Sequence, residues 1–111
     1  MQAFGDYTVI SHHEFPESSL RVLRLEPGQE IPAHLHHRSA QSYLVLEGSV
    51  EVRTDAVYVR LDRGEAIRVA TGQVHALRPA GGPVVVVSIS VPPLSSADHI
   101  PATNGPQDGQ H

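Results

Sequence analysis

The chain has 111 residues, enough for one domain with a single core and too few for a second. Its formal net charge is −4, with eight lysine and arginine residues against twelve acidic ones, which argues against a nucleic-acid partner. It has no cysteine, which excludes a disulfide framework, a thiol nucleophile and a cysteine-containing zinc site. There is no signal-peptide pattern and no apolar run near the roughly 20 residues of a membrane span, so we expect a soluble cytoplasmic protein without membrane partners.

Short segments rich in valine, isoleucine, leucine and tyrosine alternate with turn residues, and helical periodicity is absent. The first predicted strand covers residues 6–13 and contains His12 and His13, of which only one can face inward. The other predicted strands cover residues 20–25, 42–46, 49–53, 56–61, 65–69, 74–77 and 84–91. Strands at this spacing predict an all-β fold, an antiparallel jelly-roll β-barrel with an internal cavity.

The last predicted strand and the segment after it differ sharply in composition. Residues 84–87 are four consecutive valines, apolar on both faces, so we expect one face to form a homodimer interface. The barrel is expected to span residues 1–94, and residues 95–111 to be a disordered tail or loose arm. His99 and His111 lie in that tail and are expected to be exposed to solvent.

Residues 28–48 carry the first group of candidate metal ligands. His34 and His36 project from the same face of an extended segment because side chains alternate with period two. Their Cβ atoms are then about 7 Å apart, close enough for both imidazoles to reach one first-row metal ion. His37 falls on the other face, and we expect it to be solvated. Gln41 opens the next apolar run and can offer its carbonyl oxygen as a neutral ligand in the same cavity.

Residues 64–75 form a predicted strand, a glycine turn and a new strand that carries His75. The turn brings His75 back to the face of His34 and His36, which predicts one divalent metal ion per chain. Imidazole and amide ligands leave zinc, nickel, iron and manganese all open. Tyr43, two residues after Gln41, is a candidate catalytic phenol, although a strand tyrosine is more often a core or rim residue.

Together the two segments resemble the motifs of the cupin superfamily, G(x)5HxH(x)3,4E(x)6G and G(x)5PxG(x)2H(x)3N. Every spacing is met, and the matching residues are Gly28, His34, His36, Gly48, Gly64, Gly72 and His75. Three residues depart from the motifs: Gln41 replaces glutamate, Ala70 replaces proline and Pro79 replaces asparagine. The resemblance implies the cupin double-stranded β-helix with a metal ion in its cavity.

The glutamine changes the chemistry that the resemblance implies. A glutamine amide cannot accept and release a proton near neutral pH, so Gln41 is not expected to be a general base. Three neutral imidazoles and a neutral amide leave the full charge on a dication, which strengthens its attraction for a carboxylate or enolate. We therefore expect Lewis-acid tautomerisation, cyclisation or a related step on a small enolisable or oxygen-rich substrate.

Related chemistry occurs in cupins that the chain resembles more loosely, namely those that ketonise unsaturated monouronates and the single-domain polyketide cyclases. Two alternatives stay open. One is a metal-dependent dioxygenase that uses iron or another redox metal. The other is a non-catalytic cupin that binds a small molecule.

Overall fold

Two antiparallel β-sheets face each other in the computed structural model, which describes residues 2–4, 7–55 and 57–102. The strands are β1 (Gln2–Phe4), β2 (Tyr7–Glu14), β3 (Ser19–Leu25), β4 (Ile31–Leu35), β5 (Ala40–Glu47), β6 (Ser49–Thr54), β7 (Tyr58–Asp62), β8 (Ala66–Val69), β9 (His75–Pro79), β10 (Val84–Val91) and β11 (Ile100–Pro101). One sheet has the order β1-β2-β3-β10-β5-β8, and the other β11-β4-β9-β6-β7. The predicted all-β jelly-roll barrel is confirmed. The described residues include no helix with the length and apolar character needed to cross a membrane.

The space between the sheets is apolar at one end and polar at the other. Along β10, alternate inward residues change from Val84 and Val86 to Ser88 and Ser90, all buried. The neighbouring strands follow the same order, because Val86 pairs with Val45 while Ser90 pairs with Gln41. The apolar end contains most of the core: Leu23, Leu25, Val45, Val50, Val52, Leu61, Leu77, Val84 and Val86. Polar side chains are thus collected at one end of a packed barrel.

The strand bounds differ from the predicted ones by a few residues. Strand β9 begins at His75 and continues to Pro79, and β7 begins at Tyr58. Asp6 and Ala56, where two predicted strands begin, lie outside the described residues. Neither β1 nor β11 was predicted, because strands of two or three residues are too short to show a period-two pattern.

Residues 95–102, which we call the C-terminal clasp, do not form the loose arm that the composition predicts. Asp98 is buried at the end of a 3₁₀ helix, Ser96–Asp98. Strand β11 pairs with β4, and the Ala102 N–H donates to the Ala33 carbonyl at 2.9 Å. The prediction considered apolar burial, whereas backbone hydrogen bonds and one buried carboxylate hold this segment. Residues 103–111, including His111, lie outside the described part of the chain.

The four valines of β10 occupy a central strand and face in both directions. Val84 and Val86 point into the core, while Val85 and Val87 are half-buried on the outer face of the sheet. The homodimer expected from this outer face stays a prediction.

Candidate metal centre

His34, His36 and His75 meet at the polar end of the barrel. His34 pairs with His75 across β4 and β9, and His36 follows the last residue of β4. All three are buried, with exposed fractions of 3%, 2% and 1%. One potential ligand nitrogen from each ring lies within 4.8 Å of the other two. The pairing of β4 with β9, whose register shifts between Ile31 and His34, therefore helps to bring together the histidines that the spacing predicts to converge.

In each of the three histidines, a backbone carbonyl contacts Nδ1 and so determines which ring nitrogen carries the proton. The Nδ1 contacts are His34 to Pro32 O at 2.8 Å, His36 to Asp98 O at 2.8 Å, and His75 to Gln73 O at 3.0 Å. Because a carbonyl oxygen only accepts, each Nδ1 must donate its proton, and a neutral ring then has its lone pair on Nε2. Burial, reinforced by neighbouring histidine charge, lowers the pKa of His34 to about 3 and that of His75 to about 4. Both rings are therefore neutral near neutral pH.

Gln41 directs its amide oxygen at this cluster. Its Nε2 donates to the Ser88 and Ser90 hydroxyls, each at 3.2 Å, from the neighbouring strand β10. Its Oε1 accepts from the Tyr43 hydroxyl at 3.0 Å and lies 3.0 Å from His75 Nε2. The amide is therefore held at both ends, with its oxygen beside the imidazole lone pairs.

These donor atoms suit a bound cation. His75 Nε2 and Gln41 Oε1 are both acceptors, and the single Tyr43 proton can satisfy only one of them, at 3.1 or 3.0 Å. His36 Nε2 is buried without a hydrogen-bond partner, a state that typically costs about 1–3 kcal/mol. Two ligand atoms that lie about 2.1 Å from a metal and at right angles to each other are about 3.0 Å apart. His34, His36 and His75 thus form a group that could hold a metal ion, and the Gln41 amide oxygen lies at ligand spacing from His75.

Tyr43 is fully enclosed within the site. Its exposed fraction is 1%, and its hydroxyl contacts both Gln41 and His75. Burial, together with the nearby Tyr7, raises its pKa above the usual value. Tyr43 therefore keeps its proton and can donate one hydrogen bond, either to Gln41 Oε1 or to His75 Nε2. By contrast, His12, His13 and His37 are exposed and lie outside the cluster.

The sequence did not indicate Asp98, which lies under the turn after β4. Its carboxylate accepts the backbone N–H groups of His37 at 2.8 Å, Arg38 at 3.0 Å and Ser39 at 3.1 Å. Burial alone would raise the pKa of Asp98, but these hydrogen bonds outweigh it and hold the pKa below the usual value. More than 60 residues separate Asp98 from His36, so no local pattern could reveal the contact.

A cavity of about 380 Å³ opens beside the cluster. Its lining includes Tyr7, Arg21, Pro32, Leu94, Ser95 and His99. A smaller adjoining space shares several of these residues and reaches His34, His36, Gln41 and Tyr43. The His99 ring stacks on His34, with centroids 4.6 Å apart and planes inclined by 14°. His99 is thus exposed, as expected, but it also borders the site, a role that the sequence did not suggest.

Comparison with known proteins supports this fold. The cupin domain model matches residues 21–90, more than half of the chain. The tetracenomycin polyketide synthase protein TcmJ of Streptomyces glaucescens is 34% identical over 73 residues, which are 66% of this chain and 49% of that protein. The chain therefore spans about half the length of this curated relative.

Two solved structures have a similar fold. A Klebsiella pneumoniae protein with a double-stranded β-helix domain has a TM-score of 0.78 at 26% identity, over 94% of this chain and 90% of that one. The Thermus thermophilus protein TT1209 has a TM-score of 0.75 at 26% identity, over 80% and 86% of the two chains. With the two motifs and the histidine cluster, these matches show that the chain belongs to the cupin family.

Proposed function

We propose that this protein is a metal-dependent cupin enzyme that tautomerises or cyclises a small, enolisable, oxygen-rich substrate. The observation that carries the proposal is the group of three histidine nitrogens within 4.8 Å of one another, with one amide oxygen beside them and no carboxylate in the group among the described residues. Such a donor set leaves the charge of a divalent ion undiminished. The similarity to a polyketide synthase protein supports a polyketide-like substrate.

His34, His36 and His75 would hold one ion through Nε2, and Gln41 would hold it through Oε1. When bound, the ion would polarise a substrate carbonyl and lower the pKa of the neighbouring carbon acid. Tyr43 donates a hydrogen bond to the Gln41 amide oxygen and keeps Gln41 in place. His99 is the imidazole that borders the cavity beside the cluster, and we assign to it the exchange of a proton with the substrate.

The cavity supports a compact substrate with a flat carbon skeleton. Its volume of about 380 Å³ falls within the range of small-molecule sites. The rings of Tyr7 and His99 and the apolar side chain of Leu94 offer packing surfaces. Arg21 and Ser95 also line the cavity and offer hydrogen-bonding groups to substrate oxygens.

The test uses 2-hydroxyacetophenone, whose phenol and ketone oxygens can chelate an ion. The protein is loaded with zinc, nickel, manganese or ferrous iron, and deuterium uptake at the methyl group is followed by NMR while oxygen is monitored. We expect metal-dependent deuterium uptake without oxygen consumption, and loss of that uptake in the His34→Ala, His36→Ala double variant. Oxygen consumption with iron would favour a dioxygenase instead. Binding of the probe without exchange would favour a non-catalytic binding cupin.

A further inference from the structure

The C-terminal clasp reaches the proposed metal centre through Asp98. We propose that Asp98 is a positioning residue for this centre, and that docking of the clasp and binding of a divalent ion at His36 stabilise one another. The inference rests on the proposed function, because it takes His36 as a ligand.

The Asp98 carboxylate organises the turn that joins β4 to β5. Three consecutive backbone N–H groups, those of His37, Arg38 and Ser39, converge on its two oxygens. Successive N–H groups that point into one concavity favour an anion. The Ser39 hydroxyl also donates to the Pro92 carbonyl at 2.9 Å. The backbone immediately after His36 is therefore shaped around the Asp98 carboxylate, which the clasp supplies.

The backbone of Asp98 also contacts the His36 ring directly. Its carbonyl accepts the His36 Nδ1 proton at 2.8 Å, which orients the ring and leaves Nε2 as the buried, unpartnered nitrogen. His34 and His75 use carbonyls only two residues away in sequence. Of the three histidines, His36 alone takes its orientation from a distant segment, 62 residues away. Undocking of the clasp would thus remove the hydrogen bond that orients the His36 ring, whereas the corresponding bonds of His34 and His75 do not involve the clasp.

The coupling follows from the two ends of the same imidazole. A cation at Nε2 makes the Nδ1 proton a stronger donor and so strengthens its hydrogen bond to Asp98. By thermodynamic reciprocity, a docked clasp must favour the cation to the same degree. The clasp is short: a two-residue strand pairing, one further backbone hydrogen bond to Ala33 and the stacking of His99 on His34 accompany the Asp98 contacts. A short element held in this way opens easily enough to respond to the ion.

The first test titrates cobalt(II), whose visible spectrum reports its ligand geometry, into the full chain. We expect Asp98→Ala to bind cobalt(II) at least about tenfold more weakly than wild type and with a changed spectrum, as is typical when an outer contact of a ligand is lost. Asp98→Asn should restore part of the affinity, because its carbonyl oxygen can still accept the His37 N–H. The control is Asp62→Ala, which removes an exposed carboxylate bound to Ser49 and Arg60 and should leave the affinity unchanged.

The second test follows hydrogen exchange of the clasp amides of Asp98, His99 and Ala102, which donate to Ser95, Ser96 and Ala33. Cobalt(II) should slow their exchange in wild type by several-fold and have less effect in Asp98→Ala. If Asp98→Ala does not fold, Asp98→Asn and wild-type exchange decide the question. The inference would be overturned if a folded Asp98→Ala protein bound cobalt(II) as tightly as wild type does. It would also be overturned if cobalt(II) did not change the exchange rates of the clasp amides in wild type. Failure of wild type to bind cobalt(II) would instead overturn the proposed function, and this inference with it.

Discussion

At the scale of single residues, the chemistry depends on which nitrogen of each histidine carries the proton. Backbone carbonyls bind Nδ1 of His34, His36 and His75, which leaves Nε2 of each neutral ring as the nitrogen with a lone pair. Ser88 and Ser90 do the same for Gln41 by accepting from its amide nitrogen. The protein itself thus holds the candidate ligands in place, which would lower the cost of gathering them around an ion.

Replacing Gln41 by alanine tests its role as a ligand. Gln41→Ala removes the amide oxygen beside His75 and should weaken zinc binding about tenfold or more, measured by competition with a chromophoric chelator. Gln29→Ala is the control, because the Gln29 side chain accepts the Glu26 N–H in a distant turn. Equal zinc affinities for the two variants would remove Gln41 from the ligand set.

Replacing Tyr43 by phenylalanine separates packing from hydrogen bonding. Tyr43→Phe keeps the ring but deletes the proton that lies between Gln41 Oε1 and His75 Nε2. In the metal-free protein these acceptors then face each other, and we expect a loss of about 1–2 kcal/mol in the free energy of unfolding. With zinc bound the loss should be smaller, because the ion satisfies both atoms. Urea denaturation with and without zinc measures the difference, and equal losses would argue against a shared ion.

At the scale of elements, tight turns set the register that aligns the ligands. Gly48 joins β5 to β6 with a φ of 78°, a conformation that suits glycine. A Cβ at this position would overlap the Pro83 carbonyl oxygen, whereas a Cβ at Gly64, with a φ of 86°, would meet nothing within 4 Å. The two motif glycines thus share a backbone requirement, and only Gly48 adds a steric one.

This contrast predicts unequal costs of substitution. Gly64→Ala should cost about 1–2 kcal/mol of stability, from the left-handed backbone alone. Gly48→Ala should cost clearly more, because the backbone of Pro83 must also move. Thermal unfolding of both variants checks the order, and a Gly48→Ala protein as stable as Gly64→Ala would contradict it.

The sequence predicted those elements that depend on residues close to one another in the chain. Alternating apolar residues gave most strands, and period-two spacing placed His34 and His36 on one face. The alternation of Ser88 and Ser90 within an apolar strand was a readable signal for buried polar partners. Asp98, His99 and Arg21 could not be identified, because their contacts depend on how distant segments pack. From composition we also expected a loose tail from residue 95 onward, whereas the C-terminal clasp is held by hydrogen bonds.

At the scale of the whole molecule, burying polar side chains at one end of the barrel costs free energy, and apolar packing at the other end offsets that cost. His34 and His75 remain neutral in the folded chain because burial lowers their pKa to about 3 and about 4. In the unfolded chain they titrate near the ordinary pKa of about 6.5. The contribution of the two histidines to the free energy of unfolding should therefore be fully present above this pKa of the unfolded chain. It should decrease as the solution becomes more acidic, because the unfolded chain then takes up protons that the folded chain does not.

The resulting pH dependence is a prediction for the metal-free protein. Between about pH 7.5 and about pH 5.5, the free energy of unfolding should decrease, with a limiting slope of about 1.4 kcal/mol per pH unit for each of the two histidines. Urea denaturation in the presence of a chelator measures this slope. His13→Gln, which removes an exposed histidine, should keep it. Constant stability across the range would mean that the buried rings can be protonated without unfolding.

The most direct measurement is elemental analysis of the purified protein beside the His34→Ala, His36→Ala double variant, both after incubation with zinc and removal of excess ion. We expect about one divalent ion per wild-type chain and a large loss in the double variant, which lacks two of the three histidines proposed as ligands. A wild-type protein without bound metal, or equal metal content in both proteins, would contradict the assignment of this cluster as a metal centre.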